Sequence, residues 1–174
     1  SALLAWAVLL HDVGKPPSAT MDNGRLRFNE HDKLGKNMAE TILRRLCFAN
    51  DAIEAISFMV GNHMRFREAR NMRPATLRRL IAAPTFAMEL ELHRLDCIAS
   101  RGKLENFDFL KEYAANLGSE TILPKPWVNG RMLMELGLPP GTELGCWKAW
   151  AFEAQLNGEY AGGADLIAAI KKRL

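Results

Sequence analysis

Apolar positions recur at helical spacing through most of the chain. Leu3, Leu4, Ala7, Val8 and His11 fall at i, i+3 and i+4 separations and line one stripe. Gly14 and the Pro16-Pro17 pair close that helix. Residues 18–29 are polar. Asp22-Asn23-Gly24 reads as a turn there, and Arg25-Leu26-Arg27-Phe28 alternates as a short extended stretch does. A second helix is predicted over 30–46, where Leu34, Met38, Ile42 and Leu46 repeat every four residues. A third follows Asn50, a good N-cap type, and carries Ile53, Ile56, Met59 and Val60 to His63. An Arg-rich polar stretch over 64–73 precedes a short helix at 75–83. Pro84 then opens a long helix to residue 100, with Gly102 as its stop, and another spans 107–117. Pro124 and Pro126 mark 119–127 as a linker. Three shorter helices are predicted beyond it, at 130–136 (capped by Asn129), 144–157 and 164–172. Strand-like alternation is scarce and no fixed-period repeat is present. The prediction is therefore all-α: a helical domain over 1–118, a linker over 119–127 and a small helical tail over 128–174.

Composition narrows the class. With 48% hydrophobic and 25% charged residues, the 174-residue chain is of ordinary globular type, which excludes disordered and collagenous classes. The formal charge of +3 is compatible with an anionic substrate or RNA and selects neither. Cys47, Cys97 and Cys146 are odd in number and form no C-x-x-C pair. That argues against a disulfide framework or zinc ribbon and for a reducing cytoplasm, the three reading as small core residues. The apolar run over 2–10 is about half of what a bilayer needs, and no basic region precedes it, so no membrane anchor or signal peptide is expected. Opening directly into an apolar helix at Ser1 is what a fragment with helical material upstream would show.

The chemistry concentrates on few residues. His11 and Asp12 are adjacent at the end of an apolar helix, where both can bend over one ion. A carboxylate there is costly unless paired or coordinated, and it sits at the unfavourable pole of the helix dipole. Asp96 lies among Leu92, Leu95, Ile98 and Ala99 and needs a partner for the same reason. His31 opens the second helix and His63 closes the third. Such a mixed His/Asp set suits Mn, Fe, Ni, Zn or Mg. The plainer alternatives are an Asp12–Lys15 pair at a capped helix end and a buried Asp96–Arg94 pair. His93 is left out of the set.

These residues carry a family resemblance. His11-Asp12-x-Gly14-Lys15, His31-x-x-x-Gly35, Asn62-His63 and Arg94-x-Asp96, in that order, resemble the HD superfamily of metal-dependent phosphohydrolases. More narrowly they resemble the HD portion of bacterial tRNA nucleotidyltransferases and poly(A) polymerases. Gly130 to Gly137, Leu138-Pro139-Pro140-Gly141 and Glu153-Ala154-Gln155-Leu156 resemble the tail that follows in that family. The resemblance implies an HD-type helical bundle with a helical extension. It also implies a divalent metal on His11, Asp12 and Asp96, with His31 and His63 as extra ligands of two-metal members. Asp12 and Lys15 are then the catalytic residues, Lys15 meeting a phosphate oxygen. The implied reaction is hydrolysis of phosphomonoesters or a 2′,3′-cyclic phosphate, as at a damaged tRNA end. Two departures stand: the nucleotidyltransferase head is absent from this chain, and no His precedes His11 to supply the superfamily's upstream ligand.

Arg44, Arg45, Arg65, Arg67 and Arg78 are candidate contacts for an RNA backbone, with a solvated face as the alternative. Two further functions stay open beside the phosphohydrolase: a catalytically silent tRNA-binding body, and an oligomerisation module forming a homo-oligomer.

Overall fold

Helix α1 (Ala2–Leu10) begins on Ser1, whose hydroxyl accepts from the Leu4 amide, and buries Ala7 and Leu10. The computed structural model describes residues 1–100, 102–118 and 122–174. After α1 the chain turns through residues 11–18 into an antiparallel hairpin, β1 (Ala19–Asp22) and β2 (Arg25–Phe28), with Met21 opposite Leu26. Asn23 and Gly24 both take positive φ, 47° and 73°, as a two-residue hairpin turn requires. The turn and β2 match the sequence expectation. β1 alternates too, Ala19 and Met21 against Thr20 and Asp22, but over four residues only, and the turn returns it beside β2.

Helix α2 (His31–Arg45) buries His31, Gly35, Ala39 and Leu43. The predicted stripe of Leu34, Met38, Ile42 and Leu46 lies one residue off, with Leu34 and Leu46 exposed. The reason is close backbone approach. A Cβ on Gly14 would stand 2.1 Å from the His31 carbonyl oxygen and 2.7 Å from the Gly35 nitrogen. The small side of α2 is thus the packed side. Helix α3 (Asn50–Asn62) buries the predicted Ile53, Ile56, Met59 and Val60, and Ala49 rather than Asn50 is its N-cap. A 3-10 turn (Arg65–Asn71), kinked at Glu68, leads to α4 (Pro74–Ile81). Helices α5 (Phe86–Ser100) and α6 (Glu105–Asn116) follow, with the Gly102 amide closing α5 on the Cys97 carbonyl at 2.7 Å.

Two compact units result. The first holds Ser1–Arg70 and Pro84–Ala115. Its core joins Ala7, Leu10, Ala39, Leu43, Ile53, Ile56, Met59, Val60 and Leu92. The second holds Asn71–Ala83 and Asn116–Leu174. Helix α4, expected in the first domain, therefore groups with the second, through contacts that a linear reading does not reveal. The Ala75 amide donates to Asn157 at 3.0 Å, and Arg78 donates to the Ile122 carbonyl at 3.2 Å. Arg79 pairs with Glu153 at 2.6 Å.

The second unit adds α7 (Gly130–Glu135), capped by Asn129 as expected, α8 (Thr142–Leu156) and α9 (Gly163–Lys171). They close over Val128, Leu133, Leu138, Ala151, Ala154, Leu166 and Ile170. Of the predicted linker, residues 119–121 lie outside the described residues. The remainder is strapped to α8: buried Gln155 accepts from the Trp127 amide at 2.8 Å and donates to the Lys125 carbonyl at 3.0 Å. The Trp147 and Trp150 rings meet edge to face at 5.6 Å, as i and i+3 residues of one helix do. Cys47 and Cys146 are exposed rather than core residues. No helix among the described residues is long and apolar enough to cross a membrane.

Candidate metal centre

Three histidines make the same backbone contact. His11 Nδ1 lies 2.8 Å from the Val8 carbonyl, His31 Nδ1 2.8 Å from Phe28, and His63 Nδ1 2.6 Å from Val60. A carbonyl only accepts, so each Nδ1 carries the proton and each neutral ring presents a bare Nε2. Local structure explains the pattern. His11 and His63 are the C-caps of α1 and α3, where the last carbonyls have no helical partner. His31 is the first residue of α2, held to the end of β2.

The bare nitrogens converge on Asp12. Asp12 Oδ1 lies 3.5 Å from His31 Nε2 and 3.8 Å from His63 Nε2, and Oδ2 lies 3.2 Å from His11 Nε2. Asp96 Oδ1, from α5, stands 3.6 Å from His11 Nε2. All five residues predicted as ligands are therefore gathered at one place, drawn from four helix ends or faces. His31 and His63 Nε2 face each other at 3.1 Å, and where both rings are neutral with the proton on Nδ1 none lies between them. His63 is buried, and that burial holds its pKa below the usual range against the opposing backbone hydrogen bond. Two lone pairs so placed repel unless a cation lies with them. Asp12 Oδ1, His31 Nε2 and His63 Nε2 lie 3.1, 3.5 and 3.8 Å apart pairwise, separations that a divalent ion with bonds of about 2.0–2.2 Å spans. The donor set and its carbonyl-anchored outer contacts fit such an ion.

The plainer alternatives meet mixed outcomes. Lys15 Nζ is 2.5 Å from Asp12 Oδ2, so the Asp12–Lys15 pair exists alongside the histidines. Arg94 instead pairs with Glu91, at 2.6 Å, and leaves Asp96 to His11. The centre opens into a cleft of about 760 Å³ whose lining includes the cations Lys15, Arg27, Arg67 and Lys103.

The five candidate RNA contacts do not form one group. Arg44 and Arg45 are exposed in the last turn of α2, and Arg67 lines the cleft. Arg78 donates to a backbone carbonyl of the second unit. Arg65 turns inward onto buried Glu89 at 2.5 Å and lies against the Phe58 and Phe66 rings. A single arginine amid other arginines gives no sequence sign that its partner is a carboxylate 24 residues on. His93, left out of the sequence set, also lines the cleft. It is buried against Phe66, with Cys97 Sγ 3.6 Å from its Nε2. Its i, i+3 spacing to Asp96 was the available signal.

Comparison with known proteins agrees with this geometry. Residues 1–85 match the model of the HD domain family. The chain is 30% identical over 166 residues to the A-adding tRNA nucleotidyltransferase of Deinococcus radiodurans, covering 90% of this chain and 38% of the relative. It is 34% identical over 158 residues to the CC-adding tRNA nucleotidyltransferase of Thermus thermophilus, covering 87% of this chain and 36% of the relative. The chain thus spans less than two-fifths of the length of these relatives.

Proposed function

We propose that the first unit is a metal-dependent phosphohydrolase module acting on nucleotide or RNA phosphoesters, within a tRNA nucleotidyltransferase-like protein. The observation that carries the reading is the pair of bare histidine nitrogens held 3.1 Å apart beside Asp12. A divalent ion there supplies a water of lowered pKa and a positive charge against a phosphoryl oxygen. The chain's own residues do the rest. Val8, Phe28 and Val60 carbonyls fix the three imidazoles in the tautomer that ligates. Asp12 and Asp96 provide negative charge, and Lys15 orients the Asp12 carboxylate while adding a cation to the cleft. Mn, Ni, Mg, Fe and Zn are all admitted by this donor set.

The test is elemental analysis of the purified protein, beside hydrolysis of nucleoside phosphates with added Mn, Ni or Mg. EDTA is expected to abolish turnover, and Asp12→Ala to lower it by at least 10³-fold, on the order of a lost metal-site function. Turnover that survives Asp12→Ala sinks the reading. A second reading, a silent tRNA-binding body, draws on Lys15 already neutralising Asp12. It expects no bound metal and tRNA affinity that falls steeply with salt.

A further inference from the structure

The hairpin beside the metal centre has a use not covered by hydrolysis alone. Its strands sort their side chains by face: Ala19, Met21, Leu26 and Phe28 on one, Thr20, Asp22, Arg25 and Arg27 on the other. The end of the apolar face nearest the turn is open: Met21 is 72% and Leu26 55% exposed. Leu26 and Phe28 nonetheless line the cleft of the metal centre. Phe28 is tied to that centre through its backbone, since its carbonyl accepts from His31 Nδ1 at 2.8 Å. Its ring centroid is 6.0 Å from Lys15 Nζ, which itself contacts Asp12.

We propose that Leu26 and Phe28 form a platform for the nucleobase of a nucleoside phosphate, the phosphate lying toward Asp12 and Lys15. The occupant follows from the joint chemistry. An apolar strip with one aromatic ring takes a flat ring. Lys15, Arg27, Arg67 and Lys103 around the same cleft take an anion. The ligand that carries both within a few ångströms is a nucleotide or the terminal nucleotide of an RNA. A cleft of about 760 Å³ is within the range of small-ligand sites, roughly 300–1,000 Å³. Stacking is tolerant of base identity, so the platform selects nucleotides over other phosphoesters rather than one base over another. This inference rests on the phosphohydrolase reading only for where the phosphate lies.

The experiment is calorimetric binding to the chain with adenosine 3′-phosphate and with base-free glycerol 2-phosphate, without metal and with Mn. Adenosine 3′-phosphate is expected to bind at least tenfold tighter, on the scale of one base–aromatic stack. Leu26→Ser and Phe28→Ala are expected to bring the two ligands within twofold, while Phe28→Trp keeps the preference. Leu26 is half exposed, so its variant retains the fold, as circular dichroism would verify. Equal affinity for both ligands, no binding of either, or a preference untouched in both variants overturns the platform. A nucleotide preference without hydrolysis under Mn, Ni or Mg leaves the platform standing and removes the phosphohydrolase reading. Hydrolysis that ignores the base does the reverse.

Discussion

A histidine whose Nδ1 is committed to a carbonyl is reduced to one function, and its environment decides whether that function is ligation or proton exchange. His11, His31 and His63 sit in that state around two carboxylates. His93 differs: its ring meets the Cys97 thiol, and burial, more than the opposed charges of Asp96 and Arg67, lowers its pKa below the usual value. The sign of its pH effect follows. With the folded pKa below the unfolded value of about 6.5, the unfolded chain binds more protons between the two, so stability is full above 6.5 and falls as pH drops. The fall is up to about 1.4 kcal/mol per pH unit for each such group and ends below the folded pKa. Metal-free protein is therefore expected to lose stability between pH 7 and pH 5, and His93→Gln to lose less. Urea unfolding at both pH values measures this, and identical slopes in the two proteins would count against it. The buried Arg65–Glu89 pair gives a second test at this scale. Burial already pushes the Glu89 carboxyl up, and Arg65→Met would strand it. The expected cost is about 3 kcal/mol of stability. An arginine reserved for an RNA phosphate would instead cost little stability and flatten the salt dependence of tRNA binding.

At the level of elements, the centre is set by how closely two backbones approach. Gly14, two residues after Asp12, lies against the first turn of α2, where His31 begins. A methyl at Gly14 meets main-chain atoms at 2.1 and 2.7 Å, which cannot swing aside. At Gly35 the nearest atoms are at 3.4 Å, one of them a Val60 side-chain methyl. Gly14→Ala is therefore expected to cost about 3 kcal/mol and to displace Asp12 from His31, and Gly35→Ala under about 1 kcal/mol. Thermal unfolding of the two variants ranks them, and equal losses would refute the contact. This approach also explains what the chain's pattern concealed. Periodicity located α2 but picked the Leu34–Met38–Ile42–Leu46 stripe, whereas the packed side is the adjacent one of His31, Gly35, Ala39 and Leu43. In α3 the large residues are the packed ones, and the reading succeeds. That His11, Asp12 and His63 come close together follows from imidazole and carboxylate groups at the ends of apolar helices, whereas His31 opens a polar helix and Asp96 lies within α5. The pairing of Arg65 and the place of α4 were not legible in the sequence, since both depend on long-range contacts.

For the molecule as a whole, the distance between ligands along the chain matters more than their number. His11 and Asp12 follow α1, His31 opens α2, His63 ends α3 and Asp96 lies on α5. An ion bound to them would join segments from residue 11 to residue 96 of the first unit. Such a site does not exist in the unfolded chain, so binding adds directly to folding free energy. At 100 times its dissociation constant a divalent metal is expected to add about 2.7 kcal/mol. The gain should vanish in Asp12→Ala, which removes the carboxylate that all three imidazoles approach. Amide hydrogen exchange gives the spatial form of the same prediction. Protection should rise at the C-terminal ends of α1 and α3, at the first turn of α2 and in α5 around Asp96, because the ion would tie those segments together at the centre in addition to the core they already share. A uniform rise along the chain would mean that the metal acts through weak surface binding. A rise confined to the α1 end would mean that only His11 and Asp12 hold it, with His31 and His63 serving as packing.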